Sequence, residues 1–241
     1  MAGLQIQGAG GSVVEAGAFA AKGLHGIAKP QDYGALGHYR AVLTTGTIAA
    51  GMAALGELVQ MRWVDATRFC LIYEVEVLEF RNVATGFAAG RFLFDVIRST
   101  AWSVDGTLGG VVSVTDPQLQ VRAAAMGASL FSTGFRLATT AALGAGTKTF
   151  DTLPMGATFG TVDTVAAKHF IPQSNVVTTL SPAAGAGIEL LKIDIASGEH
   201  PIVLTSNGGS TSEGISIRAT VPATGTWAAS FLIKWAEVAA F

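Results

Sequence analysis

Charge is what this sequence has least of. Only 13% of its 241 residues are Asp, Glu, Lys or Arg, well below the roughly one quarter that soluble domains usually carry. Fifteen basic and 17 acidic residues leave a net charge of −2. No surplus of Lys and Arg stands ready to neutralise phosphates, so nucleic acid is not an expected partner. The one cysteine, Cys70, excludes an internal disulfide and a cysteine-based zinc cage. Its place in an apolar strand pattern predicts a buried thiol. Long apolar runs are missing too. Thr47 to Gly56 is too short to span a bilayer and is cut by Glu57. The first residues lack the basic region and continuous apolar core of a signal peptide, so cytosolic synthesis and no membrane partner are expected.

The residue patterns that mark common chemistries are equally scarce. Gly144 to Thr149 has the residue types of a phosphate loop, but Thr147 separates Lys148 from Gly146 and a strand, not a helix, is expected to follow. Gly8 to Gly11 lacks the preceding strand and full spacing of a dinucleotide fingerprint. His25, His38, His169 and His200 have no metal-ligand spacing. No serine occupies a nucleophile elbow. Glu74 and Glu76 share a strand face and read as a solvated face rather than an acid/base pair. No catalytic residue, cofactor or metal is expected.

What is present is Gly, Ala, Thr and Ser with short apolar alternations; half of the chain is hydrophobic and 30 residues are Gly. From Met1 to Gly56 patterning is weak. Leu4 and Ile6 alternate with glutamines as in a short strand, and Thr47 to Leu58 fits a helix or a strand. Residues 1–56 are expected to form an extended Gly/Ala-rich arm, with a β-domain over 57–241. Leu4, Ile6, Phe19, Leu24, Tyr33 and Tyr39 are candidate contact residues on that arm.

Strand patterns then follow one another. Phe69 to Leu78 alternates, with Phe69, Leu71, Tyr73, Val75 and Val77 on one face. Arg91 to Ala101 is apolar on both sides, which predicts a central or covered strand. Ala128 to Thr139, Lys148 to Met155 and Thr158 to Thr164 are shorter. Ile188 to Ile195 is a strand in which Leu190 breaks the alternation, with His200 to Thr205 as its expected partner. The strongest pattern is Glu213 to Val238. Ile215, Ile217, Ala219 and Val221 share one face, as do Trp227, Ala229, Phe231, Ile233 and Trp235, and Pro222 to Gly225 is a turn. This reads as a β-hairpin. Short strands punctuated by Gly, Pro and Asp, with no convincing long helix, predict an all-β, antiparallel, jelly-roll-like β-sandwich.

Trp227 and Trp235 read as core. Trp102, among polar neighbours, is the best candidate for an exposed aromatic platform. Arg62, Arg68, Arg91 and Arg98 are thinly spread and suit ion pairs between subunits. A surface this poor in charge tends to associate, so copies of the same chain are the simplest expected partner.

Four segments carry a family resemblance. They are Met61-Arg62-Trp63-Val64-Asp65-Ala66-Thr67-Arg68, the loop Ala84-Thr85-Gly86-Phe87-Ala88-Ala89-Gly90, the stretch Thr140 to Asp151, and Glu213-Gly214-Ile215 through Trp227. In that order they resemble a family of uncharacterised tailed-bacteriophage virion proteins. Gly208 to Ser212 lengthens a loop relative to that family. The resemblance implies a structural protein of a phage particle, assembled in the host cytoplasm. A capsid cement or decoration protein is the leading expectation, acting as a homotrimer or other homo-oligomer against virion proteins such as the major capsid protein. A tail, baseplate or head-fibre component touching host glycans is the alternative.

Overall fold

The computed structural model describes residues 5–7, 13–15, 37–49, 51–84, 86–114, 128–131, 134–162, 169–170, 188–193, 199–207 and 211–239. The chain divides into two units, Met1–Gln31 and Asp32–Phe241. In the first unit β1 (Gln5–Gln7) pairs antiparallel with β2 (Val13–Glu15). The expected strand around Ile6 is thus present.

The second unit holds β3 (His38–Thr44), β4 (Ile48–Ala49), β5 (Met52–Trp63), β6 (Phe69–Asn82), β7 (Gly90–Val104), β8 (Gly110–Val111), β9 (Phe135–Leu137), β10 (Thr147–Phe150) and β11 (Gly156–Val162). After these come β12 (His169–Phe170), β13 (Ile188–Lys192), β14 (Ile202–Leu204), β15 (Ser212–Val221) and β16 (Thr226–Val238). No helix occurs among the described residues. Sheet I has the order β10-β7-β15-β5-β9-β8, with β11 also on β7. Sheet II has the order β12-β6-β16-β3, with β13 and β14 also on β6 and β4 on β16. All ladders are antiparallel. One core fills the space between the sheets, joining Val59, Met61, Val96, Ile215 and Ile217 of sheet I to Tyr39, Ile72, Val77, Phe231 and Trp235 of sheet II. The all-β sandwich is as the sequence predicts. The successive long strands β5, β6 and β7 alternate between sheet I and sheet II.

The boundary at residue 57 does not hold. β3, β4 and the first half of β5 lie in the sandwich, with Tyr39 and Ala41 fully buried. Within 47–58, Ile48–Ala49 and the start of Met52–Trp63 are strand, and none of the described residues is helical. Weak alternation hid these strands because Ala and Gly occupy many of their positions and give no contrast between faces.

The C-terminal pair is not a hairpin. β15 lies between β7 and β5 in sheet I, and β16 lies between β6 and β3 in sheet II. The Pro222–Gly225 connection is an arch that carries the chain from one sheet to the other. Thr224 and Gly225 take positive φ, 70° and 99°, which Gly accepts at no steric cost. A hairpin and an arch share one alternation pattern; they differ in whether the two apolar faces lie side by side or face each other. Here they face each other.

β6 corrects a second expectation. Opposite β16 its register skips Leu78 and Tyr73, so each is a bulge that resets the alternation. Cys70, Ile72, Val75, Val77 and Phe80 therefore enter the central core. Leu71, with Phe69 and Tyr73, instead packs against Ala236 and Val238 in a small cluster on the other side. Leu190 is likewise skipped in the pairing of β13 with β6 and is buried. β13 and β14 both pair with β6 and not with each other. Among the described residues between Ala128 and Thr139 only Phe135–Leu137 is strand, and Phe131, which the alternation did not single out, is buried against Trp63 and Trp235.

Candidate functional site

The candidate contact residues Leu4, Phe19, Leu24 and Tyr33 lie outside the described residues; Ile6 is in β1, opposite Val14. Tyr39 is not an arm contact. It is fully buried and stacks on Trp235 at 5.5 Å. Burial, with Glu237 nearby, pushes its hydroxyl pKa up to about 12. Trp102 is not an exposed platform. Its ring is fully buried, its Nε1 donates to the Val104 carbonyl at 3.1 Å, and it leaves the strand face after Ala101, whose φ of 47° kinks β7. A Cβ on Gly214 would stand 2.6 Å from that ring and 2.3 Å from the Met61 carbonyl oxygen. Gly214 is therefore required for Trp102 to lie flat on β15.

The most concentrated polar chemistry sits around Trp102, on the face of sheet I that turns away from the central core. β5 supplies Glu57 and Gln60, and its register skips Leu58, which lets Leu58 and Val59 both enter the core while Glu57 turns outward. β15 supplies Ser216 and Arg218, on the face opposite Ile215 and Ile217. β7 supplies Asp95. The segment from Leu143 to Lys148 covers them, anchored by the Leu143 N–H donating to the Glu57 carbonyl at 2.8 Å.

Glu57 Oε2 accepts from Lys148 Nζ at 2.5 Å, Ser216 Oγ at 2.7 Å and Gln60 Nε2 at 2.9 Å. Gln60 Nε2 also donates to the Gly144 carbonyl at 3.0 Å, and Gln60 Oε1 accepts from the Gly106 N–H at 2.9 Å. The Lys148 and Glu57 side chains are 1% and 5% exposed. The Lys148 ammonium lies 4.0 Å from the Trp102 ring centre and 5.3 Å from that of Phe150. Burial pulls the Lys148 pKa below its ordinary value, and the attraction of Glu57 opposes the fall. Beside this group Arg218 grips Asp95 with two hydrogen bonds, 2.9 and 2.6 Å. Sequence reasoning noted Lys148 only as part of a poor phosphate loop. Its partners stand far apart in the chain, and the one signal for them was charge in a sequence that spends so little of it.

Three of the four arginines read as inter-subunit partners, Arg62, Arg91 and Arg98, are engaged within the chain. Arg62 pairs with Asp105 at 2.7 Å and donates to the Ser103 carbonyl. Arg98 bonds Glu213 at 2.5 Å. Arg91 lies over Phe159 at 5.2 Å. Glu74 and Glu76 are half-buried; Glu74 pairs with Lys234 at 2.6 Å. Burial and the carboxylates of Glu74 and Glu189 raise the pKa of Glu76. Among the described residues no group of three or more His, Cys, Asp or Glu is placed to hold a metal ion.

A further buried carboxylate closes one end of the core. Glu237 accepts from Ser129 Oγ at 2.5 Å, from the Leu130 N–H, and from Trp235 Nε1 at 3.1 Å. It thereby fastens the segment that seats Phe131 between Trp63 and Trp235. Its pKa is raised by burial, against the pull of those hydrogen bonds and of Arg68. A carboxyl whose folded pKa is raised stabilises the fold fully below its ordinary pKa, near 4.3, and loses that contribution as pH rises through the folded value. Glu237→Gln is therefore expected to flatten the pH dependence of unfolding midpoints measured in urea from the acid side towards neutrality. Parallel pH profiles for the two proteins would contradict this.

No family model matches the chain, and no curated protein or solved structure shows significant similarity to it.

Proposed function

We propose that this chain is a structural protein of a tailed-bacteriophage particle, most simply a capsid cement or decoration protein working as a homo-oligomer. The observation that carries the reading is where the four resembling segments lie. Trp63 and Arg62 of the first pair with Glu213 and Gly214 of the last. The loop of the second donates from the Ala88 N–H to Thr224 Oγ1 at 2.9 Å. The third brings Lys148 onto Glu57 beside Ser216, and Phe150 under Arg218 at 4.9 Å. All four converge on β15 and its arch. The shared wording is thus spent on architecture, as a structural protein's would be.

The surface supports association. Phe159, Leu153, Leu108 and Val42 are each at least 60% exposed. Apolar area buried between copies contributes about 25 cal/mol per Å², and repeated contacts on a shell multiply it. The tail or head-fibre alternative predicts an exposed aromatic platform, and Trp102, its best candidate, is inside the chain.

Two measurements test the reading. Quantitative mass spectrometry of purified particles is expected to find hundreds of copies per virion; one or two rings' worth would move the protein to the tail. Deleting residues 1–31, a separate unit, is expected to leave the sandwich's circular dichroism and cooperative melt intact while lowering co-sedimentation with capsids. Full binding by the shortened chain would remove the arm from the mechanism.

A further inference from the structure

The Glu57 group has the parts of a reaction as well as those of an ion pair. An amine, a carboxamide and a carboxylate meet in a water-poor site, and each is held in the role it would need. Lys148 Nζ and Gln60 Nε2 both hydrogen-bond the same oxygen, Glu57 Oε2, at 2.5 and 2.9 Å. The carboxamide oxygen, Gln60 Oε1, receives the Gly106 backbone N–H at 2.9 Å. The Trp102 and Phe150 rings flank the amine. We propose that Lys148 and Gln60 join in an intramolecular amide bond, with Glu57 as the catalytic acid and base.

The steps balance without a co-reactant. Glu57 takes a proton from the Lys148 ammonium, leaving a nucleophilic amine, and burial has already made that deprotonation easier. Lys148 Nζ attacks Gln60 Cδ. Negative charge collects on Oε1, where the Gly106 N–H stabilises it as an oxyanion-hole donor does. Glu57 passes its proton to Nε2. The Cδ–Nε2 bond breaks and ammonia departs, and the Nζ–Cδ bond remains as an amide. Nζ keeps one hydrogen, and its last surplus proton returns through Glu57 to solvent. No atom changes oxidation state. Loss of ammonia to bulk water makes the step irreversible in practice.

The consequence is mechanical. Gln60 is on β5 and Lys148 on β10, with β15 and β7 lying between them in sheet I. The bond would clamp four strands from outside, where hydrogen bonds and ion pairs now hold them. This inference stands apart from the virion reading and would hold for any role of the chain.

Intact mass spectrometry of the denatured full-length protein decides it. Most of the wild-type chain is expected to weigh one ammonia less than its sequence, and digestion should release a branched peptide containing both Gln60 and Lys148. The branch is essential, because a succinimide at Asn207-Gly208 also loses ammonia. Lys148→Arg keeps the buried cation but supplies no nucleophilic amine; it is expected to fold and to show the full mass. Glu57→Gln is expected to slow linkage at least tenfold in freshly refolded protein. A folded wild-type chain at full sequence mass would overturn the proposal. So would loss of one water with a branch at Glu57, which would make the carboxylate the acceptor.

Discussion

Replacing Phe80 with alanine is expected to lower stability by about 3–5 kcal/mol, the upper range for a buried aromatic. Phe80 is fully buried on β6 and is the hub of an aromatic group that spans both sheets. Its ring centre lies 5.2 to 5.6 Å from those of Phe87, Phe92, Phe94 and Trp227. Phe92 and Phe94 belong to β7 in sheet I, and Trp227 begins β16 in sheet II. Phe87 belongs to the loop that the arch holds down. Removing the ring opens a void that the other rings cannot close together, because strand ladders fix the backbones of Phe92, Phe94 and Trp227. Urea denaturation of the purified domain measures the effect. Phe159→Ala is the control. That ring is 60% exposed, and its loss is expected to stay within about 0.5 kcal/mol. Equal losses from the two substitutions would mean that the aromatic group is not where the stability resides.

Asp95→Ala is expected to cost a similar amount, about 3–5 kcal/mol, for a different reason. The Asp95 and Arg218 side chains are 3% and 12% exposed. Removing the carboxylate leaves a guanidinium that is always charged, with the Phe150 ring as its remaining favourable neighbour. The penalty is that of an uncompensated charge, not the net worth of the pair. Replacing both residues, Asp95→Leu with Arg218→Met, is therefore expected to recover most of the loss. If the double replacement is as unstable as Asp95→Ala alone, the cost comes from packing and the electrostatic account fails.

These two sites also show what the sequence could and could not convey. The strands were legible because apolar and polar residues alternate along them, and Pro222 to Gly225 was legible as a turn from its chemistry. The destination of β16 was not. Ile215 to Val221 and Trp227 to Trp235 present the same alternation whether the strands pair or face each other, so the arch passed as a hairpin. The bulges at Tyr73 and Leu78 were invisible for a related reason. The apolar residues flanking them suit either face, and only the register against β16 shows where the count slips. Trp102 looked exposed because its neighbours in the chain are polar, but its neighbours in space are Gly214 and Lys148. The Glu57 group gathers residues from β5, β10 and β15, and no local pattern announces a meeting of that kind. Tyr39 was grouped with the arm on composition alone and is instead part of the core.

The position of the arch has a consequence for how the protein is made. β15 and β16 are inner strands of opposite sheets, and they are synthesised after every other described strand. Until they leave the ribosome, β5 and β7 have no strand between them, and neither do β6 and β3. The nascent chain therefore holds long unpaired edges through most of its translation. A product cut short before Glu213 would have two sheets without centres. Only chains that include β15 and β16 would complete both sheets.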